Sequence, residues 1–251
     1  DELRDFFGEV LPDFDRDRVY PSDIRKLVQW YNILVGAGIT DFTVEENEEI
    51  VHIPMSSGLS NSCETAMVLA REYHGRVQVV NNQRISVTQR QSVLDALNLA
   101  KAGKTGAEIR EILEKQAHES SIYITLETLK YLKKGGRVTP AAAAIGAALN
   151  IKPVLKLGGG KLDTYAKVRG MKQAEQKMFE AIREELERFG PERCVVRAAY
   201  SGDAELGHQW IQKVSEAFPE YEVYGDPLGL SIACHTGPAA YGIGCVKKLK
   251  L

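Results

Sequence analysis

The strongest constraint on the fold is the alternation of short apolar strands with amphipathic helices along the chain. Apolar runs at 50–55, 77–80 and 122–126 are separated by segments whose apolar residues recur at helical spacing. Strands and helices in alternation build α/β domains with a largely parallel sheet. We therefore predict an α/β fold.

The pattern changes near residue 119, which indicates a second domain. A short helix stopped by two glycines is followed by an alanine-rich helix, by strands around a triple-glycine turn and by a long helix. The apolar run 230–234 is expected to be a strand that ends at His235. We predict two α/β domains, at residues 1–118 and 119–251.

Three of the predicted helices begin with a polar pair at the spacing of a capping box. Asn61 stands three residues before Glu64, Ser86 three residues before Gln89, and Thr105 three residues before Glu108. In a capping box the side chain of the first residue accepts a hydrogen bond from the backbone N–H of the later residue. The side chain of the later residue accepts one from the backbone N–H of the first. We expect all three pairs to start a helix in this way.

Composition excludes several classes of protein. The chain has 251 residues, 44% of them apolar and 26% charged, and a net charge of −2, which is typical of a globular protein. That balance argues against nucleic acid and anionic membranes, which require a concentrated positive field, so we expect at most transient membrane contact. The sequence has no apolar stretch of membrane-spanning length and no secretory leader, so we expect a cytoplasmic protein.

The four cysteines do not form a metal-binding pattern. Cys63, Cys194, Cys234 and Cys245 have neither C-x-x-C nor zinc-finger spacing. Cys234 adjoins His235, but adjacent residues on a strand point to opposite faces. We expect buried thiols in a reducing cytosol and no metal site.

A serine-rich turn is the first candidate site. Ser56, Ser57 and Gly58 lie between a predicted strand and the amino terminus of a predicted helix. Free backbone N–H groups and the positive helix end favour an anion there, and the hydroxyls can donate further hydrogen bonds. Gly58 lets a ligand approach the backbone. A plain serine cap explains the same residues equally well.

The second candidate is His235, followed by Thr236. Ligand groups in α/β proteins usually lie at the carboxyl ends of strands, where His235 is predicted. Histidine can donate to a carboxylate and can carry charge near neutral pH. A structural histidine is the open alternative.

Two basic segments are further candidates. Lys167, Arg169 and Lys172 precede a predicted helix, and Arg137 ends a Lys-Lys-Gly-Gly-Arg segment. Clustered cations can pair with an anion or with a partner protein. A solvated charged surface remains the alternative for both segments.

The sequence contains no recognisable catalytic set. It has no nucleophile elbow, Walker loop, G-x-G-x-x-G or H-E-x-x-H motif, and no carboxylate pair stands out as an acid and a base. We therefore predict no catalytic residue and no cofactor. Anion donors together with apolar helices favour binding over turnover.

Taken in order, the motifs resemble those of the DegV family of bacterial proteins. The serine turn 56–60 resembles the family's serine motif, and 126–137, Leu-Glu-Thr-Leu-Lys-Tyr-Leu-Lys-Lys-Gly-Gly-Arg, is very close to its central motif. The segment 145–155, the pair Arg169 and Lys172, and 235–238 follow in family order. Each motif is weak alone, but the ordered set is specific.

The resemblance implies a function as well as a fold. It implies two α/β domains with a long-chain fatty acid in the cleft between them, and an acyl chain that runs into an apolar tunnel. The carboxylate would meet Ser56, Ser57 and Gly58 from one domain and His235 and Thr236 from the other. A separate fatty acid kinase, which supplies ATP and metal, would phosphorylate the presented carboxyl group. Arg169 and Lys172 would face the head group or the kinase.

The chain departs from the family pattern near its beginning. The family's opening Asp-Ser-Thr motif is not found, and its Asp-Ser pair reads Asn81-Asn82. Its Thr-Ser-x-Pro-Ser motif reads Arg-Val-Tyr-Pro-Ser from Arg18, so that Arg18 replaces the threonine. Because a guanidinium can bind a carboxylate bidentately, we expect Arg18 to contact the carboxylate.

Two other functions remain open from the sequence. One is an enzyme that acts on a small phosphorylated or carboxylated metabolite, for which the same anion donors would serve. The other is a structural or regulatory protein with an empty site. An apolar tunnel favours the fatty-acid-binding protein, whereas a small polar pocket favours the enzyme.

Overall fold

The computed structural model describes residues 2–12, 21–38, 40, 48–143, 151–158 and 161–249. The chain divides into two compact units, residues 1–48 and 49–251. The first unit contains two helices, α1 (Glu2–Val10) and α2 (Pro21–Gly36). Phe6 and Val10 of α1 are exposed.

The second unit contains both described sheets. Its elements are, in order, β1 (Ile50–His52), α3 (Ser62–Ala70), β2 (Val77–Val79), α4 (Ser86–Lys101), α5 (Gly106–Lys115), β3 (Ser120–Leu126), α6 (Lys130–Gly135), α7 (Pro140–Ala143), β4 (Ile151–Gly158), β5 (Lys161–Arg169), α8 (Met171–Phe189), β6 (Cys194–Ser201), α9 (Ala204–Ala217), β7 (Tyr224–Pro227), α10 (Leu230–Thr236) and β8 (Ala240–Lys247). Single 3₁₀ turns lie at Arg71–Tyr73 and Pro191–Arg193.

The α/β prediction is confirmed, but the two sheets differ in strand direction. β1 and β2 form a parallel pair, as predicted. The larger sheet has six strands in the order β5-β4-β3-β8-β6-β7, and of its neighbouring pairs β6 and β7 alone are parallel. The predicted domain boundary at 118/119 falls inside the second unit, between α5 and β3, and stays a prediction.

The six-stranded sheet has apolar packing on both faces. On one face α8 and α9 bury Met178, Ile182 and Trp210, and the Trp210 indole N–H donates to the Gly242 carbonyl at 2.9 Å. On the other face Ile124 and Leu155 belong to a separate cluster. Burial of each such large side chain contributes about 1.5–3 kcal/mol. The second cluster adjoins the candidate site.

The segment predicted as a strand before His235 is a helix. Residues 230–236 form α10, in which the N–H of Ala233 donates to the carbonyl of Gly229 at 3.0 Å and the N–H of Gly237 to that of Ala233 at 2.8 Å. The prediction was wrong because a short apolar run does not distinguish a strand from a helix. Gly229 precedes α10 and Gly237 follows it, so the helix has only seven residues.

One of the three predicted capping boxes forms. Thr105 Oγ1 accepts from the Glu108 N–H at 3.3 Å, and the Glu108 carboxylate accepts from the Thr105 N–H at 2.9 Å. The hydrogen bond from Lys104, followed by those from the Thr105 N–H and hydroxyl, lowers the pKa of Glu108 to about 2. Asn61 precedes α3 but its side chain makes no capping hydrogen bond, so that prediction was wrong. Its side-chain amide donates to Thr65 instead. Ser86 is the first residue of α4 rather than its cap, and the Gln89 side-chain amide donates to the Ile53 carbonyl at 2.7 Å, so that prediction was wrong too.

Candidate functional site

A cavity of about 180 Å³ lies within the second unit, against the face of the larger sheet that carries Ile122 and Ile124. Most of its lining is apolar. The apolar members are Met55, Leu59, Ile85, Val87, Ile122, Ile124, Leu132, Leu157, Leu162, Ala199, Leu228, Ile232, Gly242 and Ile243, and the polar members are Ser60, Ser86, Arg137, Ser231, His235 and Thr236. An apolar cavity with a few polar groups is typical of a small-molecule site.

His235 is placed by the packing of α10 on α6. Ser231 and His235 are four residues apart on α10, so they lie on one face of the helix, and both line the cavity. The imidazole of His235 lies against the α-carbon of Gly135, where a β-carbon would overlap Nδ1. The ring of Tyr131 lies against Gly237 in the same way. The segment 126–137 therefore supports the segment 235–238 directly.

Arg137 joins the serine turn to the same end of the cavity. Its Nε donates to the Leu59 carbonyl at 3.3 Å, and its Nη1 donates to the Gly135 carbonyl. Arg137 is the only arginine or lysine of the described lining, which contains no aspartate or glutamate. This end of the cavity is therefore positive and suits a carboxylate or another small anion.

The serine turn is fixed through its backbone. The Ser56 N–H donates to the Arg84 carbonyl at 2.8 Å, and the Ser56 carbonyl accepts from the N–H groups of Leu59 and Ser60. The Ser56 side chain is buried, and its hydroxyl makes no hydrogen bond to any described residue. Ser60 lines the cavity and also accepts from the Ser62 N–H at 3.2 Å.

A buried polar cluster, which includes Asn82, Arg84 and Ser92, adjoins this turn. Asn82 donates to the Ser92 hydroxyl at 2.8 Å, and the guanidinium of Arg84 donates to the same hydroxyl at 3.1 Å. Burial lowers the pKa of Arg84 to about 10, although Asp95 opposes the shift. Burial likewise raises the pKa of Asp95. The Arg84 carbonyl accepts from the Ser56 N–H, so this buried cluster contacts the turn through its backbone.

The structure brings some of the predicted site residues together. His235 and Thr236 line the cavity, and the serine turn contributes its later residues, Leu59 and Ser60. Ser56 is buried, and Ser57 and Gly58 are half-buried, and none of the three lines the cavity. Their contact with a ligand stays a prediction.

The remaining predicted residues lie elsewhere. Arg169 and Lys172 are exposed, at the end of β5 and the start of α8, and neither lines the cavity. The Arg169 N–H donates to Gln173 Oε1 at 3.1 Å. Arg18 lies outside the described residues, so its predicted contact stays a prediction.

Sequence reasoning missed two polar residues of the lining, Ser86 and Ser231. Ser86 begins α4 with a left-handed φ of 53°, which non-glycine residues adopt rarely and often at functional sites. Arg137 belongs to a basic segment whose charges are explained equally well by a solvated surface. A signal was available for Arg137, because two glycines before a cation permit close approach of a neighbouring element.

Two negative findings concern the described residues alone. Among them, no three His, Cys, Asp or Glu side chains are grouped so that they could hold a metal ion. No described helix is both long and apolar enough to cross a membrane.

Comparison with known proteins identifies the family. The profile described as "Uncharacterised protein, DegV family" matches residues 37–248, and a domain of unknown function matches residues 1–34. The family model covers most of the chain, including every residue that lines the cavity. The chain belongs to the DegV family.

Individual relatives agree with this assignment. A DegV domain-containing protein of Deinococcus radiodurans is 30% identical over 201 residues, which is 80% of this chain and 70% of that protein. A structure titled as fatty acid binding of a DegV family protein from Thermus thermophilus has a TM-score of 0.71 and 28% identity, covering 88% of this chain and 76% of that one. DegV of Bacillus subtilis, titled a fatty acid binding protein, has a TM-score of 0.67 and 25% identity, covering 89% and 76%.

Proposed function

We propose that this protein binds one long-chain fatty acid in the cavity and presents its carboxyl group to a separate fatty acid kinase, which forms the acyl phosphate. The observation that carries the proposal is the cavity itself, apolar over most of its lining and cationic where Arg137 meets the serine turn. The relatives from Thermus thermophilus and Bacillus subtilis, both titled as fatty acid binding, support the same ligand.

The lining disfavours an enzyme for small polar metabolites. Such a ligand would leave many apolar side chains without a partner, whereas an acyl chain gains about 0.8 kcal/mol for each methylene that it buries. A charge-assisted hydrogen bond to the carboxylate adds roughly 1.5–3 kcal/mol. The tail therefore provides most of the affinity, and the polar groups fix the orientation of the head group.

The head group is proposed to lie between the serine turn and α10. Arg137, His235 and Thr236 face it from one side, and Ser56, Ser57 and Gly58 from the other. The buried hydroxyl of Ser56 has no hydrogen-bond partner among the described residues, which supports this placement because such a group normally has one. The boundary at 118/119 would then separate the two sets of ligands, and Arg18 would add a further donor.

Arg169 and Lys172 are proposed to face the kinase. Both side chains are exposed, and both stand outside the cavity, so they are available to a protein partner. The kinase supplies ATP and metal, and the chain itself needs no cofactor. Purified alone, the chain should neither hydrolyse ATP nor form acyl phosphate.

A pair of histidine variants tests presentation. His235→Ala should weaken fatty acid binding about tenfold to a hundredfold, the equivalent of one charge-assisted hydrogen bond, and should reduce phosphorylation by the kinase further than occupancy explains. His208→Ala, on the exposed surface of α9, is the matched control and should change neither. Unchanged binding and phosphorylation in His235→Ala would remove the proposed head-group site.

A further inference from the structure

A second cavity, of about 190 Å³, lies directly beside the first. Its lining is polar and includes Thr88, His118, Lys156 and Arg188. The first cavity is called the acyl cavity below, because it is proposed to hold the acyl chain. Like the acyl cavity, the second cavity contains no aspartate or glutamate in its described lining. Two apolar residues, Ile122 and Leu157, line both cavities, so they form the wall between them.

The order of residues along β3 places this wall away from the head-group end. Leu126 pairs with Ala240, whose N–H donates to the Ser201 hydroxyl, and that hydroxyl donates to the Gly237 carbonyl beside Thr236. Ile122 lies four residues earlier, about 13 Å along the strand. Ser121 and Ser120, beyond Ile122, line the second cavity.

The pairing of β4 with β3 places Leu157 at the same distance from the head-group end as Ile122. The register that pairs Tyr123 with Lys156 and Ile124 with Leu155 sets Leu157 beside Ile122. Lys156, adjacent to Leu157, lines the second cavity but not the acyl cavity. Its ammonium group contacts the Glu185 carboxylate at 2.6 Å. Arg188 pairs with the same carboxylate.

We infer that Leu157, together with Ile122, closes the acyl cavity and sets the longest fatty acid tail that the protein accepts. This inference rests on the proposed function. A tail that passed the wall would enter a space lined by cations and hydroxyls. There it would displace water from these polar groups without offering them a hydrogen bond. The polar cavity thus makes the wall a sharp limit, and Leu157 a specificity-determining residue.

The test is a binding series with saturated fatty acids of increasing length. Wild-type protein should show a length beyond which affinity stops rising. In Leu157→Ala, acids just beyond that length should bind about tenfold tighter than they bind wild type, the effect of burying roughly two more methylene groups. Leu157→Trp should act in the opposite direction. It should weaken the binding of the longest acid that wild type accepts by about tenfold or more.

Leu155→Ala is the matched control. Leu155 is on the same strand, two residues from Leu157 and therefore on the same face, and it is fully buried without lining either cavity. Its truncation should lower stability but leave the length limit unchanged. If wild type binds fatty acids while both Leu157 variants keep its length limit, the inference is wrong and the proposed function stands. If wild type binds no fatty acid of any length, the inference and the proposed function are both wrong.

Discussion

The imidazole of His235 rests on Gly135, whose α-carbon lies so close to Nδ1 that no side chain fits between them. The two residues belong to α10 and α6, which are separated by about a hundred positions of sequence but pack together. The glycine therefore positions a residue of the proposed head-group site, although it offers no functional group to a ligand.

Replacing Gly135 by alanine should disturb the site through His235. The added methyl group must push the imidazole away from its position, so we expect Gly135→Ala to weaken fatty acid binding about as much as His235→Ala does. Isothermal titration with a fatty acid measures this. Gly136→Asn is the control, since a β-carbon there meets nothing within 4 Å and asparagine tolerates the left-handed φ of 66°. Equal affinity in the Gly135 and Gly136 variants would contradict the proposed contact.

Arg137 should provide the positive charge for the fatty acid carboxylate. Arg137→Gln is expected to weaken binding by roughly 1.5–3 kcal/mol, because a charge-assisted hydrogen bond is replaced by a neutral one at best. Lys134→Gln removes a neighbouring exposed cation and should have no effect. A comparison with the fatty alcohol of the same length isolates the carboxylate, because the Arg137 variant should bind the alcohol as wild type does. Loss of alcohol binding as well would point to a damaged cavity.

The elements of this fold could be predicted from the sequence better than its site could. The strand at 122–126 and the helix at Thr105 follow from local periodicity and capping, which neighbouring residues determine. The contacts of Arg137 with Leu59 and of Gly135 with His235 join positions far apart in the chain, so no local pattern reveals them. The error at α10 has the same origin, since packing on α6 selects a helix where the apolar run permits either structure.

Glu185 should make stability depend on acidic pH. Its side chain is buried, which tends to raise its pKa, but hydrogen bonds from Lys156 and Tyr123 outweigh burial and hold the pKa below its usual value. A carboxylate with a lowered pKa in the folded state stabilises the protein above its unfolded pKa of about 4.3, and this contribution disappears as pH falls through the folded value.

Glu185→Gln measures that contribution. The free energy of unfolding should differ most between wild type and Glu185→Gln near neutral pH, and the difference should shrink as the solution is acidified below about pH 4.3. Glu187→Gln, exposed on the same helix, should show little difference at any pH. Denaturant titrations across this pH range provide the measurement, and a difference for Glu185→Gln that grows on acidification would contradict the assignment.

Mass spectrometry of an organic extract of the purified protein tests fatty acid binding most directly. We expect a long-chain fatty acid at about one molecule per chain, since a buried tail binds tightly through its methylenes alone. Protein stripped of lipid should recover the same occupancy when fatty acid is added back. Extracts that are repeatedly free of fatty acid, from protein that is folded but also fails to bind added fatty acid, would contradict the proposed function.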